Sequence, residues 1–200
     1  MPITRRSVLS VVSAITLAPV FAHAAEPASQ GERALGSPTA KVTVQEFFSL
    51  TCTHCAHFAN TTFPKVKSDL IDTGKIRYVY RDFPLDQIAL AAAMVARTLP
   101  AERYEPFVNA LFANQDRWAF SRQANPTEEM WKIAALAGMS RATFDAAIAD
   151  TTLKAWILAR QQADQTTYKI SATPTFAING KTTSGALSFE DFAKLVTEAT

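Results

Sequence analysis

Glu46-Phe47-Phe48-Ser49-Leu50-Thr51-Cys52-Thr53-His54-Cys55-Ala56-His57 reads as the end of an apolar strand, a short polar turn and two cysteines opening the next segment. Cys52 and Cys55 are the only cysteines among 200 residues, and two of the three histidines, His54 and His57, stand beside them. A helix beginning near Cys52 places that sulfur over its first turn. There the backbone N–H groups lack intrahelical partners and the positive end of the helix dipole lies. Both effects favour thiolate over thiol, and His54 can add a hydrogen bond or a partial positive charge. Such settings bring a cysteine pKa from about 8.5 into the range of roughly 3.5 to 7.5. Each unit is worth ~1.4 kcal/mol of preference for the thiolate. A stabilised thiolate leaves readily, and a stabilised reduced form makes the disulfide more oxidising. Cys55, one turn on, would close the ring or resolve a mixed disulfide.

Other uses of the pair fit less well. A zinc site needs four ligands, usually with a second pair downstream, and no cysteine or histidine follows His57. Covalent haem needs histidine directly after the second cysteine, where Ala56 stands. A purely structural disulfide this short closes a very small loop and gains little loop entropy. Redox chemistry with no cofactor and no resident metal is the leading reading. Metal or copper capture by Cys52, Cys55, His54 and His57 is the alternative from a different class.

Lys plus Arg is 20 and Asp plus Glu is 18, so nothing in the balance suggests nucleic acid. The apolar fraction of 48% is ample for a core, and the length suits one domain or one with an insertion. Residues 1–24 read as an export signal: Arg5-Arg6, an uncharged apolar run from Val8 to Phe21, then Ala22-His23-Ala24 as a small-x-small cleavage site. The run falls short of the roughly 20 residues that span a bilayer as a helix. Thr4-Arg5-Arg6-Ser7-Val8-Leu9 resembles a twin-arginine signal, although a general secretion signal would use the same charges. Removing residues 1–24 takes away Arg5 and Arg6 and leaves 18 charges of each sign. Either route delivers the mature chain to an oxidising compartment, the periplasm, where a cysteine pair can oxidise other proteins' thiols.

Residues 25–37 read as a polar, flexible lead-in. Lys41 to Phe48 is a strand with Val42, Val44, Glu46 and Phe48 on one face. Glu46 is thus a carboxylate among apolar neighbours; buried, it would have a raised pKa and could exchange a proton with Cys55. A helix over 53–73 carries the cysteines, with a kink or break at Pro64, and Lys75 to Tyr80 alternates as a second, parallel strand. Residues 86–170 carry helical faces only. They include Tyr104, Phe107, Val108, Leu111 and Phe112, a helix opened by Pro126-Thr127 and stopped at Gly138, and a long one through Trp156 to about Tyr168. Ala172 to Ile178 returns to strand, Asn179-Gly180 is a two-residue hairpin turn, and Ser188-Phe189-Glu190-Asp191 resembles a cap for a last helix.

Glu46-Phe47-Phe48-Ser49, Cys52-Thr53-His54-Cys55, Phe63-Pro64, Arg81-Asp82-Phe83-Pro84 and Thr173-Pro174-Thr175-Phe176 together resemble the thioredoxin fold in its DsbA-type branch. The implied architecture is α/β: a thioredoxin fold with an inserted all-helical domain between the second and third strands. Its parts would be 38–85, the helical insertion 86–170, and 171–200. The resemblance implies an exposed nucleophile at Cys52, a buried partner at Cys55, a cis peptide bond at Thr173-Pro174 facing Cys52, and Glu46 as the buried acid beneath the pair. It also implies donation of disulfides to unfolded or partly folded exported proteins with free thiols. A membrane-bound, quinone-linked partner would reoxidise the pair, and the protein would act as a monomer. Thr53 stands where the commonest family pattern has proline. Thr173 also occurs in reductases and isomerases of this fold, which keeps those activities as the alternative within the class.

Overall fold

The computed structural model describes residues 27–200; the expected export signal, with Arg5-Arg6 and Ala22-His23-Ala24, lies outside them. Five strands form one sheet in the order β1-β3-β2-β4-β5. They are β1 (Arg33–Leu35), β2 (Val42–Phe48), β3 (Ile76–Asp82), β4 (Thr175–Ile178) and β5 (Lys181–Ser184). Only the central pair, β2 and β3, is parallel; β1–β3, β2–β4 and β4–β5 are antiparallel. A parallel pair needs a crossover, here α1 (Thr53–Thr61), α2 (Phe63–Val66) and a π-helical turn (Lys67–Ile71). Six helices separate β3 from β4: α3 (Gln87–Thr98), α4 (Ala101–Ala113), α5 (Gln115–Trp118), α6 (Pro126–Leu136), α7 (Arg141–Ala149) and α8 (Thr151–Tyr168). The last helix, α9 (Phe189–Glu198), follows β5. This is the α/β thioredoxin architecture with its helical insertion.

β2 is fully buried on one face and partly covered on the other, which suits its central place. Val42, Val44, Glu46 and Phe48 face one layer, where Phe58, Phe176 and Phe192 pack with ring centroids 4.7 to 5.9 Å apart. Phe47 faces the other, under Phe83, Ile170, Ala177 and the ring of Tyr168. The hairpin turn works because Asn179 and Gly180 both hold positive φ, 44° and 88°; that twist matches the strands it joins. Side-chain oxygens of Asp86, Asn125, Ser140, Asp150 and Ser188 cap the helices that follow them.

Three expectations shift. The described part of the expected lead-in, 27–37, is not loose, because β1 lies within it and pairs with β3 from Arg33↔Tyr80 to Leu35↔Tyr78. The buried Arg33 guanidinium donates to the carbonyls of Arg97 (2.8 Å) and Ala28 (3.0 Å). Arg97 in turn donates to those of Ser29 (3.3 Å) and Gly31 (3.1 Å). Gly36 then turns the chain at φ 83°, where a Cβ would come within 2.4 Å of the Ile76 carbonyl oxygen. The cysteine helix breaks at Thr62 rather than at Pro64. Pro64 takes the second position of α2, where no N–H is needed. The second strand begins at Ile76 and runs on through Arg81 and Asp82.

Candidate active site

The turn after β2 is built from its own backbone and from four side chains. Cys52 N–H donates to the Ser49 carbonyl at 3.1 Å. Ser49 Oγ accepts from the N–H groups of Thr51 (3.4 Å) and Leu85 (3.3 Å). Thr51 Oγ1 donates to Asp86 Oδ2 at 2.7 Å, while Asp86 Oδ1 caps α3. From the insertion, Gln115 Nε2 donates to the carbonyls of Leu50 (2.8 Å) and Cys52 (3.1 Å). So held, Cys52 occupies the N-cap of α1 with extended backbone, φ −83° and ψ 120°.

Both cysteines are free thiols, Cys52 half-buried and Cys55 0% exposed. The Cys52 thiol donates to the Thr173 carbonyl at 3.2 Å. The Thr173-Pro174 bond is cis, and the Pro174 carbonyl accepts from Gly185 N–H at 2.8 Å. The pair titrates apart. Cys52 is lowered to about 5, chiefly because the Cys55 thiol donates to its sulfur; burial opposes this, and the Thr173 side chain and the backbone N–H groups of Cys55 and His54 add to it. Thr173 Oγ1 is buried with no aligned hydrogen-bond partner, so its proton can turn toward the sulfur once Cys52 ionises. Cys55 is pushed well above the usual thiol range by burial first, then by its bond to Cys52 and by the charges of Glu46 and Cys52. At neutral pH the site is a thiolate held by a thiol.

Glu46 lies in the same interior, 3% exposed. Tyr78 Oη donates to its Oε2 at 2.7 Å, and Oε1 has no protein partner. Burial raises its pKa to about 7, Tyr78 opposes this, and the Cys52 charge adds to it. Its titration therefore couples to the sulfurs near physiological pH.

His54 acts differently from the expectation. Its imidazole is exposed and makes no hydrogen bond among the described residues; residue 54 reaches the sulfur through its backbone N–H. The reason is geometric, since a side chain on the first turn of a helix projects outward while its N–H points back at the N-cap. His57 is also exposed. Among the described residues no three His, Cys, Asp or Glu side chains converge as metal ligands. Cys52, Cys55, Thr173, Pro174 and Glu46 come together; the His54 ring does not join them. Sequence reading missed Tyr78, Asp86 and Gln115. Asp86 carried a signal as a cap before an apolar helix, whereas Gln115, 63 residues from Cys52, carried none.

The chain is similar to known proteins over most of its length. The family model described as Thioredoxin matches residues 28–198. A Rickettsia prowazekii protein, provisionally named a protein-disulfide oxidoreductase, is 32% identical over 166 residues, covering 82% of this chain and 60% of its own. The chain thus spans about 60% of the length of the Rickettsia relatives it matches. Disulfide bond formation protein D of Bacillus subtilis is 25% identical, covering 86% of this chain and 78% of its own. Among solved structures, α-DsbA1 of Wolbachia pipientis superposes with a TM-score of 0.78 at 29% identity, covering 86% of this chain and 96% of that one. With the fold, the cysteine turn and the cis-proline strand all in place, the chain belongs to the thioredoxin family, in its DsbA-type branch.

Proposed function

We propose that the protein is a thiol:disulfide oxidoreductase that introduces disulfides into exported proteins. The observation that carries this is the split between the sulfurs: an accessible Cys52 lowered to about 5 above a fully buried Cys55. In the oxidised state a substrate thiolate attacks Cys52 Sγ, the Cys52–Cys55 bond breaks, and Cys55 leaves as a thiolate. Glu46, poised near 7, returns a proton to it. A second substrate thiolate then attacks the substrate sulfur of the mixed disulfide and expels Cys52. A low leaving-group pKa speeds that step and favours the reduced enzyme. The substrate loses two electrons as its two sulfurs join, and the enzyme gains them, left as a Cys52 thiolate beside a Cys55 thiol that carries the proton from Glu46. A membrane-bound, quinone-linked partner would accept them on reoxidation. The export signal expected at 1–24 supports a periplasmic location, and an unfolded substrate would lie as an extended strand beside the Thr173-Pro174 segment.

The test uses purified protein and a reduced, unfolded substrate. Cys52→Ser should abolish disulfide transfer and Cys55→Ser should accumulate mixed disulfides on Cys52. Full activity of Cys52→Ser would reject the nucleophile. Rescue of scrambled disulfides without net oxidation would move the reading to an isomerase, and a stoichiometric bound metal would move it to a carrier.

A further inference from the structure

Gln115 is 5% exposed, on a short helix of the insertion, yet its hydrogen bonds serve the cysteine turn. One amide nitrogen donates to the carbonyls of Leu50 and Cys52. The Cys52 carbonyl also accepts the Ala56 N–H at 3.1 Å, the first hydrogen bond of α1. That carbonyl and the Thr53 N–H belong to one planar peptide unit. Holding the oxygen therefore fixes how the following N–H groups, those of His54 and Cys55 included, face the sulfur. The grip has a firm base. Trp118, on the same helix, is fully buried and its indole N–H donates to the Leu111 carbonyl at 2.8 Å. The Arg117 N–H donates to the Asn114 carbonyl at 2.9 Å.

We propose that Gln115 is a positioning residue for the redox centre, the point at which the helical insertion fixes the N-terminus of α1 beneath the Cys52 sulfur. The proposal rests on Cys52 being the nucleophile. It gives the insertion a part in the chemistry that needs no contact with sulfur. A misdirected first turn would point fewer N–H groups at the thiolate, and the Cys52–Cys55 disulfide would become a weaker oxidant.

The experiment compares wild type with Gln115→Met, which keeps the length of the side chain and removes both donors. The Cys52 midpoint, followed by thiolate absorbance, should rise by about one unit, and the redox equilibrium with glutathione should shift about tenfold against the reduced form. Rescue should fail in kind: a purely packing role for Gln115 would be filled by methionine, leaving midpoint and equilibrium unchanged, and that result would overturn the proposal. A wild-type midpoint near that of free cysteine would defeat the nucleophile reading itself and this inference with it. If Gln115→Met does not fold, NMR of the wild type decides. The Gln115 side-chain amide resonances should move with the Cys52 titration, and their standing still across it would equally overturn the proposal.

Discussion

The parallel strands themselves carry two buried carboxylates, and the protein treats them in opposite ways. Asp82, at the end of β3, accepts from Arg97 Nε and, at 3.0 Å, from Tyr104 Oη. Acid and base are each 4% exposed, and Arg97 also stacks over Trp156 at 4.6 Å. Every donor in that cluster comes from the insertion or faces the N-terminal segment, so it ties three parts of the chain together. Glu46, on β2, has one neutral donor and one bare oxygen. A buried charge is stable only when paired and hydrogen-bonded, so Asp82 holds the structure while Glu46 is left able to gain and lose a proton. Placed near Cys55, that incomplete solvation is what proton exchange requires.

The comparison breaks most visibly at Asp82. Asp82→Asn should leave the Arg97 charge buried and cost about 3 kcal/mol, at the lower end of what breaking a buried pair does. Urea denaturation measures this, and the Cys52 titration midpoint should stay where it is. A shift of that midpoint would show the two clusters to be one. Glu46→Gln should do the reverse, sparing stability and slowing the chemistry. The step that frees Cys55 should slow by about a hundredfold, as loss of a positioned acid or base does; single-turnover mixed-disulfide kinetics report it. Its pH signature follows from the sign of the shift. A carboxyl raised to about 7 from 4.5 lets the folded state bind the extra proton, so its contribution to stability is present below the unfolded pKa and lost as pH rises through 7. Reduced wild type should therefore lose stability from pH 4.5 to 7 relative to Glu46→Gln, and parallel curves would rule this out. The smallest effect belongs to His54→Ala. With the imidazole exposed and unbonded, the Cys52 midpoint should move by no more than about a few tenths of a unit, as for a screened surface charge; a full-unit rise would restore the imidazole to the site.

Reading the chain alone reached four of the five strands and the cysteine turn, because these are written in local spacing. The two-residue period of Val42, Val44, Glu46 and Phe48 placed a carboxylate on the core face, and Asn179-Gly180 named its own turn. Helix ends were less legible. Pro64 announced a break, but its ring conflicts with the turn before it, so the break fell at Thr62. The stretch 25–37 looked flexible because polar composition cannot show that Arg33 finds carbonyls 64 and 66 residues away.

The sequence by itself determined that two sulfurs stand one turn apart at the start of a helix, since that follows from spacing and from the backbone geometry of any helix N-terminus. Only the tertiary structure decided which groups surround them. The Thr173 carbonyl reaches the Cys52 thiol, the Tyr78 hydroxyl reaches Glu46 and the Gln115 amide holds the Cys52 carbonyl, each from far along the chain, while the His54 ring, though adjacent in sequence, lies exposed. Hydrogen bonds and desolvation act over a few ångströms, and distance along the chain says little about distance in space once the insertion has folded back on the sheet.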